Sequence, residues 1–277
     1  PRLPRGGRLS AERRAPSRPM NIAEYEKMHA LEDTYWWFQG RKDIIRAMLD
    51  ACLPSAPRPG RVLDVGCGTG LMLKELAHFQ PVGLDFSTHA LQFSRSRGLK
   101  NLTRADVVHL PFADNSFDLI LALDLMEHVK NDQRLIREFH RVLRPGGCLM
   151  ATVPAHPYLW SDHDIALHHF RRYTAKSLRR LLATGKLRPL RFSYCITIVH
   201  PPIVIFRLAQ KTFQRLVYKP GQHRHRTHLI RLPQWANKLL IKVLRLEASL
   251  LRRIDLPVGT SLITLAQKKS PSTDSTD

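Results

Sequence analysis

The stretch Val62-Leu63-Asp64-Val65-Gly66-Cys67-Gly68-Thr69-Gly70 decides the fold. Its first residues, Arg61–Val65, read as a short apolar strand, and glycines at 66, 68 and 70 follow at once and open a helical pattern over Leu71–Phe79. A chain that turns this tightly needs residues without a Cβ, and the same residues let a ligand approach the backbone. Fifteen residues after Gly70, Asp85 closes a second strand, Pro81–Asp85. A carboxylate there can accept both hydroxyls of a ribose. Asp106 stands twenty-one residues further on, at the end of a third, weaker strand over Asn101–Ala105.

Outward from this stretch, strand and helix signals alternate. A helix is expected from about Thr88 to Arg97, a strongly apolar strand over Phe117–Leu123, and a helix over Gln133–Leu143 stopped by Pro145-Gly146-Gly147. A fifth strand, Cys148–Val153, ends at Pro154; Leu190–Val199 and Ser261–Ala266 read as the sixth and seventh. Strands alternating with helices indicate a mostly parallel sheet with helices on both faces. The expected fold class is therefore α/β, a Rossmann-like seven-stranded sheet with an N-terminal helical lid and a basic helical insertion before the last strand. The divisions are a disordered basic tail at 1–19, lid and linker at 20–60, core at 61–198, insertion at 199–258, last core strand at 259–268 and a disordered tail at 269–277. Within the lid the helical pattern breaks near Asp33–Thr34 and again near Gly40.

The segments VLDVGCGTG (62–70), VGLDFS (82–87), ADVVHLPFADNSFDLILALDLMEHV (105–129) and EFHRVLRPGGCLMATVP (138–154) together resemble the class I S-adenosylmethionine-dependent methyltransferases. They cover about a hundred residues in that family's order and spacing. The resemblance implies S-adenosylmethionine as cofactor. It implies that the Gly66, Cys67, Gly68 and Gly70 backbone lies against the methionine part and that Asp64 orients its amino group. It implies that Asp85 holds the ribose, that Phe86 packs near the adenine, and that Asp106 meets the adenine amino group with the Val107 backbone beside the ring. Leu123 and Asp124 would line the floor near the transferring methyl. A dinucleotide dehydrogenase would more usually show G-x-G-x-x-G, and the residue three after Gly68 is Leu71.

Such a cofactor carries its own activated methyl group, so the protein has only to align a nucleophile, exclude water and remove a proton where needed. The run Tyr35-Trp36-Trp37-Phe38 is expected to form a lid, with Arg41 available to the methionine carboxylate. His156 and His163, after the fifth strand, are the expected bases. Glu127-His128 is a further candidate base, although the resemblance puts that pair at a helix start, where it is often structural; no metal is expected, His163, Asp164 and His168 forming a conceivable set. Cys52, Cys67, Cys148 and Cys195 contain no CxxC pair, which suggests a reducing compartment without a zinc site.

Charge is uneven along the 277 residues. Residues 1–19 carry net +5, 20–170 net −2 and 171–277 net +18, for +21 in all. At 43% apolar, the chain is neither disordered throughout nor collagen-like. The apolar stretch Cys195–Ile205 is too short and too broken by prolines to span a bilayer. Near Gln234–Ile254, Trp235, Leu239, Val243, Leu246 and Leu250 form one apolar stripe, widened by Leu240, Leu244 and Leu251, with lysines and arginines mainly to the other side. Such a helix either lies in an anionic membrane interface or packs on its own domain. The expectation is a methyltransferase acting on a small or lipid-linked acceptor at oxygen, cytoplasmic and peripheral on the inner face of the cytoplasmic membrane. An RNA methyltransferase using the basic last third is the alternative, and a non-catalytic cofactor-binding adaptor a third. Against nucleic acid, the fourth strand ends in Leu123-Asp124-Leu125-Met126 and not in the Asn/Asp-Pro-Pro-aromatic run of base amino methylation.

Overall fold

The computed structural model describes residues 22–52, 60–217 and 232–270. The expectations for residues 1–19, for the linker at 54–59, for the basic run at 219–231 and for 271–277 lie outside the described residues. In chain order the elements are α1 (Ile22–Leu31), α2 (Trp36–Cys52), β1 (Val62–Val65), α3 (Leu71–Glu75), β2 (Val82–Asp85), α4 (Thr88–Ser96), β3 (Leu102–Arg104) and β4 (Phe117–Leu123). Then come α5 (Asp132–Val142), β5 (Leu143–Pro154), α6 (Asp162–Ala166), α7 (Ala175–Thr184), β6 (Leu187–Cys195), α8 (His200–Val217), α9 (Gln234–Leu251) and β7 (Ser261–Lys268).

The seven strands form one sheet in the order β3-β2-β1-β4-β5-β7-β6, with β7 antiparallel to both neighbours and the other pairings parallel. Strand order reverses between β1 and β4, which opens a crevice outside their carboxyl ends. Alternate residues of the central strands face opposite layers. Leu63, Ile120 and Leu149 pack with Ile136 and Phe139 of α5 and Leu178 and Leu182 of α7. Val62, Leu119, Leu121 and Met150 pack with Ile44 and Met48 of α2 and Leu244 and Leu251 of α9. The α/β expectation with helices on both faces therefore holds.

Several local expectations change. Helix α2 runs straight through Gly40, because the glycine serves a close approach and not a break: a Cβ there would lie 2.1 Å from Leu244 Cδ1. The helix expected over 71–79 stops at Glu75 and continues as a single tighter turn, Ala77–Phe79. Strand β5 begins at Leu143, so Pro145-Gly146-Gly147 belongs to the strand and makes an irregularity opposite Phe117–Leu119. Strand β6 begins at Leu187, its Pro189 being tolerated on the sheet edge beside a register shift. It ends at Cys195, not Val199, for a specific reason. Ile196 adopts φ +60°, and the amides of Ile196, Thr197 and Ile198 all donate to the buried carboxylate of Glu247 on α9. Those amides are lost to any strand partner.

Helix α9 also corrects the single-stripe reading. It buries Leu244, Glu247, Ala248 and Leu251 against α2 and the sheet, while Trp235, Leu239, Leu246 and Leu250 remain exposed. Among the described residues no helix is long and apolar enough to cross a membrane.

Candidate functional site

The glycine loop leaves the carboxyl end of β1 at the crevice. The amides of Gly66 and Cys67 donate to Leu84 O, at 2.7 and 3.0 Å, which fixes the loop to β2. Gly66, Gly68 and Gly70 all have positive φ, yet they differ in what a side chain would meet. A Cβ on Gly66 would meet Leu125 at 2.8 Å and one on Gly70 would meet Leu99 at 2.6 Å. A Cβ on Gly68 would meet nothing within 4 Å. Two of the glycines therefore serve packing, and Gly68 alone presents bare backbone to open space. The Cys67 thiol is buried among Leu73 and Leu91, so only its backbone can serve a ligand.

Asp85 ends β2 directly opposite. Its Oδ2 accepts the Gly68 amide at 2.9 Å and its Oδ1 accepts the Ser87 amide at 2.8 Å. Burial raises its carboxyl above the ordinary value, and those amides offset part of the rise. Each oxygen keeps acceptor capacity. Asp64 lies behind it, 3% exposed; burial, and then the charge of Asp85, push its carboxyl up to about 7. Two acidic groups beneath a bare glycine backbone suit a ligand with a diol at one end and a cationic amine at the other. S-adenosylmethionine fits this donor and acceptor set.

On the far side of Asp85, Phe86 lies under the Arg104 guanidinium at 5.7 Å, and Arg104 Nε–H donates to Phe86 O. Asp106 accepts the Val108 amide at 3.1 Å, which turns the chain after β3 and buries Val107. Phe86, Asp106 and Val107 thus gather beside the β2 end, the side expected for a base.

At the β4 end Leu123 is half-buried against the α2 layer, and Asp124 holds φ +50°. That conformation is uncommon for a residue with a side chain and is held here by several contacts. The Asp124 amide donates to Thr152 O at 3.0 Å, Thr152 Oγ1 donates to Asp124 Oδ1 at 3.0 Å, and Arg41 of α2 pairs with Asp124. Arg41 Nη2 also donates to Thr152 Oγ1 at 2.9 Å. Helix α2 is thus joined to the crevice floor through Arg41. Trp36 and Trp37, in the first turn of α2, pack against the buried cluster between α2 and the sheet, and Arg41 lies 5.9 Å over the Trp37 ring.

The histidine loop after β5 divides into two groups. His156, at φ +61°, stacks on Tyr194 at 5.3 Å, and its Nε2 is buried with no hydrogen-bond partner. Burial, then His200, lower its pKa, which favours the neutral ring. His163 is also neutral, its pKa lowered to about 4 by burial and then by Arg207. In the set His163, Asp164 and His168 the carboxylate is already engaged. Asp164 is fully buried, accepts Arg172 Nε at 2.8 Å and His169 Nδ1 at 3.0 Å, and those interactions outweigh burial and hold its carboxyl well below the usual range. His169 instead meets Glu127 and His128 from the end of β4. Burial, and then Asp124, raise the Glu127 carboxyl, while burial foremost lowers His128 to about 3.

Sequence reading missed one support of the loop. Glu32, just past α1 and 2% exposed, accepts Thr69 Oγ1 of the glycine loop and pairs with Arg97 at the end of α4. The only signal was a pair of charges in otherwise ordinary helix ends.

Comparison with known proteins agrees with this geometry. A methyltransferase-domain family model matches residues 63–151. Demethylmenaquinone methyltransferase of Geobacillus stearothermophilus is 30% identical over 160 residues, covering 54% of this chain and 66% of that protein. A Bos taurus protein named "Probable tRNA methyltransferase 9B" is 37% identical over 134 residues, covering 47% of this chain and 28% of that protein. The chain spans less than two thirds of either relative. The crystal structure of the [4+2]-cyclase SpnF shares the fold, with a TM-score of 0.56 at 20% identity over 91% of this chain and 97% of that one. Strand order, a bare-backbone glycine at the switch point, the acidic pair beneath it and the matching domain lead to one assignment: residues 63–151 form a methyltransferase domain of the class I S-adenosylmethionine-dependent kind.

Proposed function

We propose that the protein transfers a methyl group from S-adenosylmethionine to an oxygen of a small or lipid-linked acceptor. The observation that carries the reading is the cradle of Gly68 and Asp85, with Asp64 behind it. The cofactor supplies a methyl group already activated by its sulfonium. Asp85 would hold the ribose hydroxyls, Asp64 the amino group, the loop backbone the methionine part, and Phe86, Asp106 and Val107 the adenine. Arg41 would meet the methionine carboxylate from the lid, trading part of its pairing with Asp124. Asp124 and Leu123 would form the floor beneath the methyl. His156 is the better placed base, because its Nε2 is buried without a partner while burial favours the neutral ring. His163 faces Arg207 and the Asp164 group, which favours a supporting part.

The exposed side of α9 supports the lipid-linked choice of acceptor. Trp235 is 71% exposed and Leu246 59% exposed, and Lys238, Lys242 and Arg253 flank them. An apolar stripe beside a basic one suits an anionic lipid surface. The side chain of Asn237 holds the start of α2 by accepting the Trp36 amide at 2.9 Å, so a surface under α9 lies next to the lid. The test is incubation of the full chain with methyl-labelled S-adenosylmethionine and separate pools of membrane lipid extract, small metabolites and RNA. Label in the lipid or metabolite pool is expected, and Asp85→Ala should reduce it. Label confined to RNA would replace this reading with the nucleic-acid alternative.

A further inference from the structure

Glu127 and His128 follow β4, His169 follows α6, and the three meet. One carboxylate oxygen and one nitrogen from each ring all lie within 4.8 Å of one another. Glu127 is 1% exposed, and its Oε2 has no hydrogen-bond partner, although a buried carboxylate oxygen without one is costly. Nothing in the proposed methyl transfer uses it.

Each histidine is held from behind. His169 Nδ1–H donates to Asp164 Oδ1 at 3.0 Å, and Asp164 is itself fixed by Arg172, so the lone pair of His169 Nε2 is left free. The ring of His128 lies beside the Leu167 backbone, which favours a proton on the ring nitrogen that faces it. A histidine whose far nitrogen is tied to a carboxylate or a backbone carbonyl is the usual arrangement at a metal. The two rings stand at 90° with centroids 4.5 Å apart.

We propose that Glu127, His128 and His169 bind one divalent first-row transition cation, of the zinc, cobalt or manganese class, through two imidazoles and one carboxylate. Two nitrogen donors favour such an ion over magnesium or calcium. Three protein ligands leave positions open for oxygen donors, water among them. The Asp164–His169 and Leu167–His128 pairs are the orienting shell, and Arg172 holds Asp164 in place. This departs from the expectation of a metal-free chain, which weighed only ligands within 156–169; Glu127 and His128 are some forty residues away and join the group through the fold. Ion binding here does not depend on the methyl-transfer reading.

The test uses the full chain after chelation and dialysis, titrated with Zn²⁺ by calorimetry and with Co²⁺ by visible d–d absorption. One equivalent should bind at micromolar strength or tighter, and Glu127→Gln, His128→Ala and His169→Ala should each weaken it by about tenfold or more, the least expected for losing even an outer-shell partner. His168→Asn, a loop histidine outside the group, should leave binding unchanged. Thermal melts in chelator identify variants that do not fold; Glu127→Gln, which keeps the shape of the side chain, carries the test if the histidine variants fail. Absence of binding at millimolar ion, or binding that Glu127→Gln leaves intact, overturns the proposal.

Discussion

Gly40 of α2 and Leu244 of α9 are in direct contact: a Cβ added to Gly40 would fall 2.1 Å from Leu244 Cδ1 and 2.6 Å from its Cβ. In an exposed helix interior, glycine to alanine is stabilising by about 1 kcal/mol. Here the added methyl must push α9 outward, and overpacking of this kind is destabilising by about 1–3 kcal/mol. Gly40→Ala should therefore lower Tm, by roughly 2–4 °C per kcal/mol for a chain of this size. Combining it with Leu244→Ala should be less harmful than the sum of the two single changes, because the contact is shared. Thermal denaturation of the four proteins checks this; additive losses would mean the helices do not meet there.

Asp64 gives a pH dependence of definite sign. Its folded carboxyl titrates near 7, far above the ordinary aspartate value of 3.8. Between those values the folded chain holds a proton that the unfolded chain has lost, so this group's contribution to stability falls as pH rises from about 4 to about 7. The slope is at most about 1.4 kcal/mol per pH unit. Affinity for a cationic amine runs the other way, rising up to tenfold per unit and levelling above about 7. Asp64→Asn should flatten both profiles, as measured by denaturant melts and by calorimetry across the pH series.

Glu32 and Arg97 form a pair in which both side chains are almost fully buried, at 2% and 6% exposed. Glu32→Ala leaves a buried guanidinium without its main partner and should be destabilising by about 3–5 kcal/mol. Because Glu32 also holds Thr69, cofactor affinity should fall with it. Arg97 also reaches Asp33 at 3.3 Å, but Asp33 is 55% exposed, so Asp33→Ala should change stability by less than about 1 kcal/mol. Equal effects of the two substitutions in urea melts would contradict this division.

The exposed face of α9 should bind vesicles containing anionic lipid, more strongly at low salt, with a part that persists when salt screens the charges. Trp235→Ala/Leu239→Ala should remove the persistent part and leave Tm unchanged, since both side chains are exposed. Sedimentation across a salt series reads both. No binding to anionic vesicles even at low salt would remove the lipid surface from the proposal.

The sheet and the cradle were legible because their signals are local. Glycines directly after an apolar run, with Asp85 closing the next strand, announce a strand, a tight turn and a helix without reference to the rest of the chain. The misreadings of Gly40 and of β6 involve partners distant in sequence. Gly40 reads as a break until Leu244 is seen against it, and β6 reads four residues too long until Glu247 is seen on its terminal amides. The α9 stripe could not be divided by periodicity, because both the buried and the exposed faces are leucine-rich. Spacing alone left Asp164 conceivable as a ligand, because it does not show that Arg172 and His169 already occupy the carboxylate.

The most direct measurement is calorimetric titration of the full chain with S-adenosylmethionine, comparing wild type, Asp85→Ala and Gly68→Val. Wild type should bind one equivalent. Asp85→Ala should weaken binding by about 1–3 kcal/mol, since hydroxyl donors lose a charged acceptor. In Gly68→Val the branched side chain would enter the open space beside Asp85, at a backbone φ of +53° that valine resists, and binding should be lost. Unchanged affinity in both variants, with wild-type melting behaviour, would contradict the assignment of the cradle.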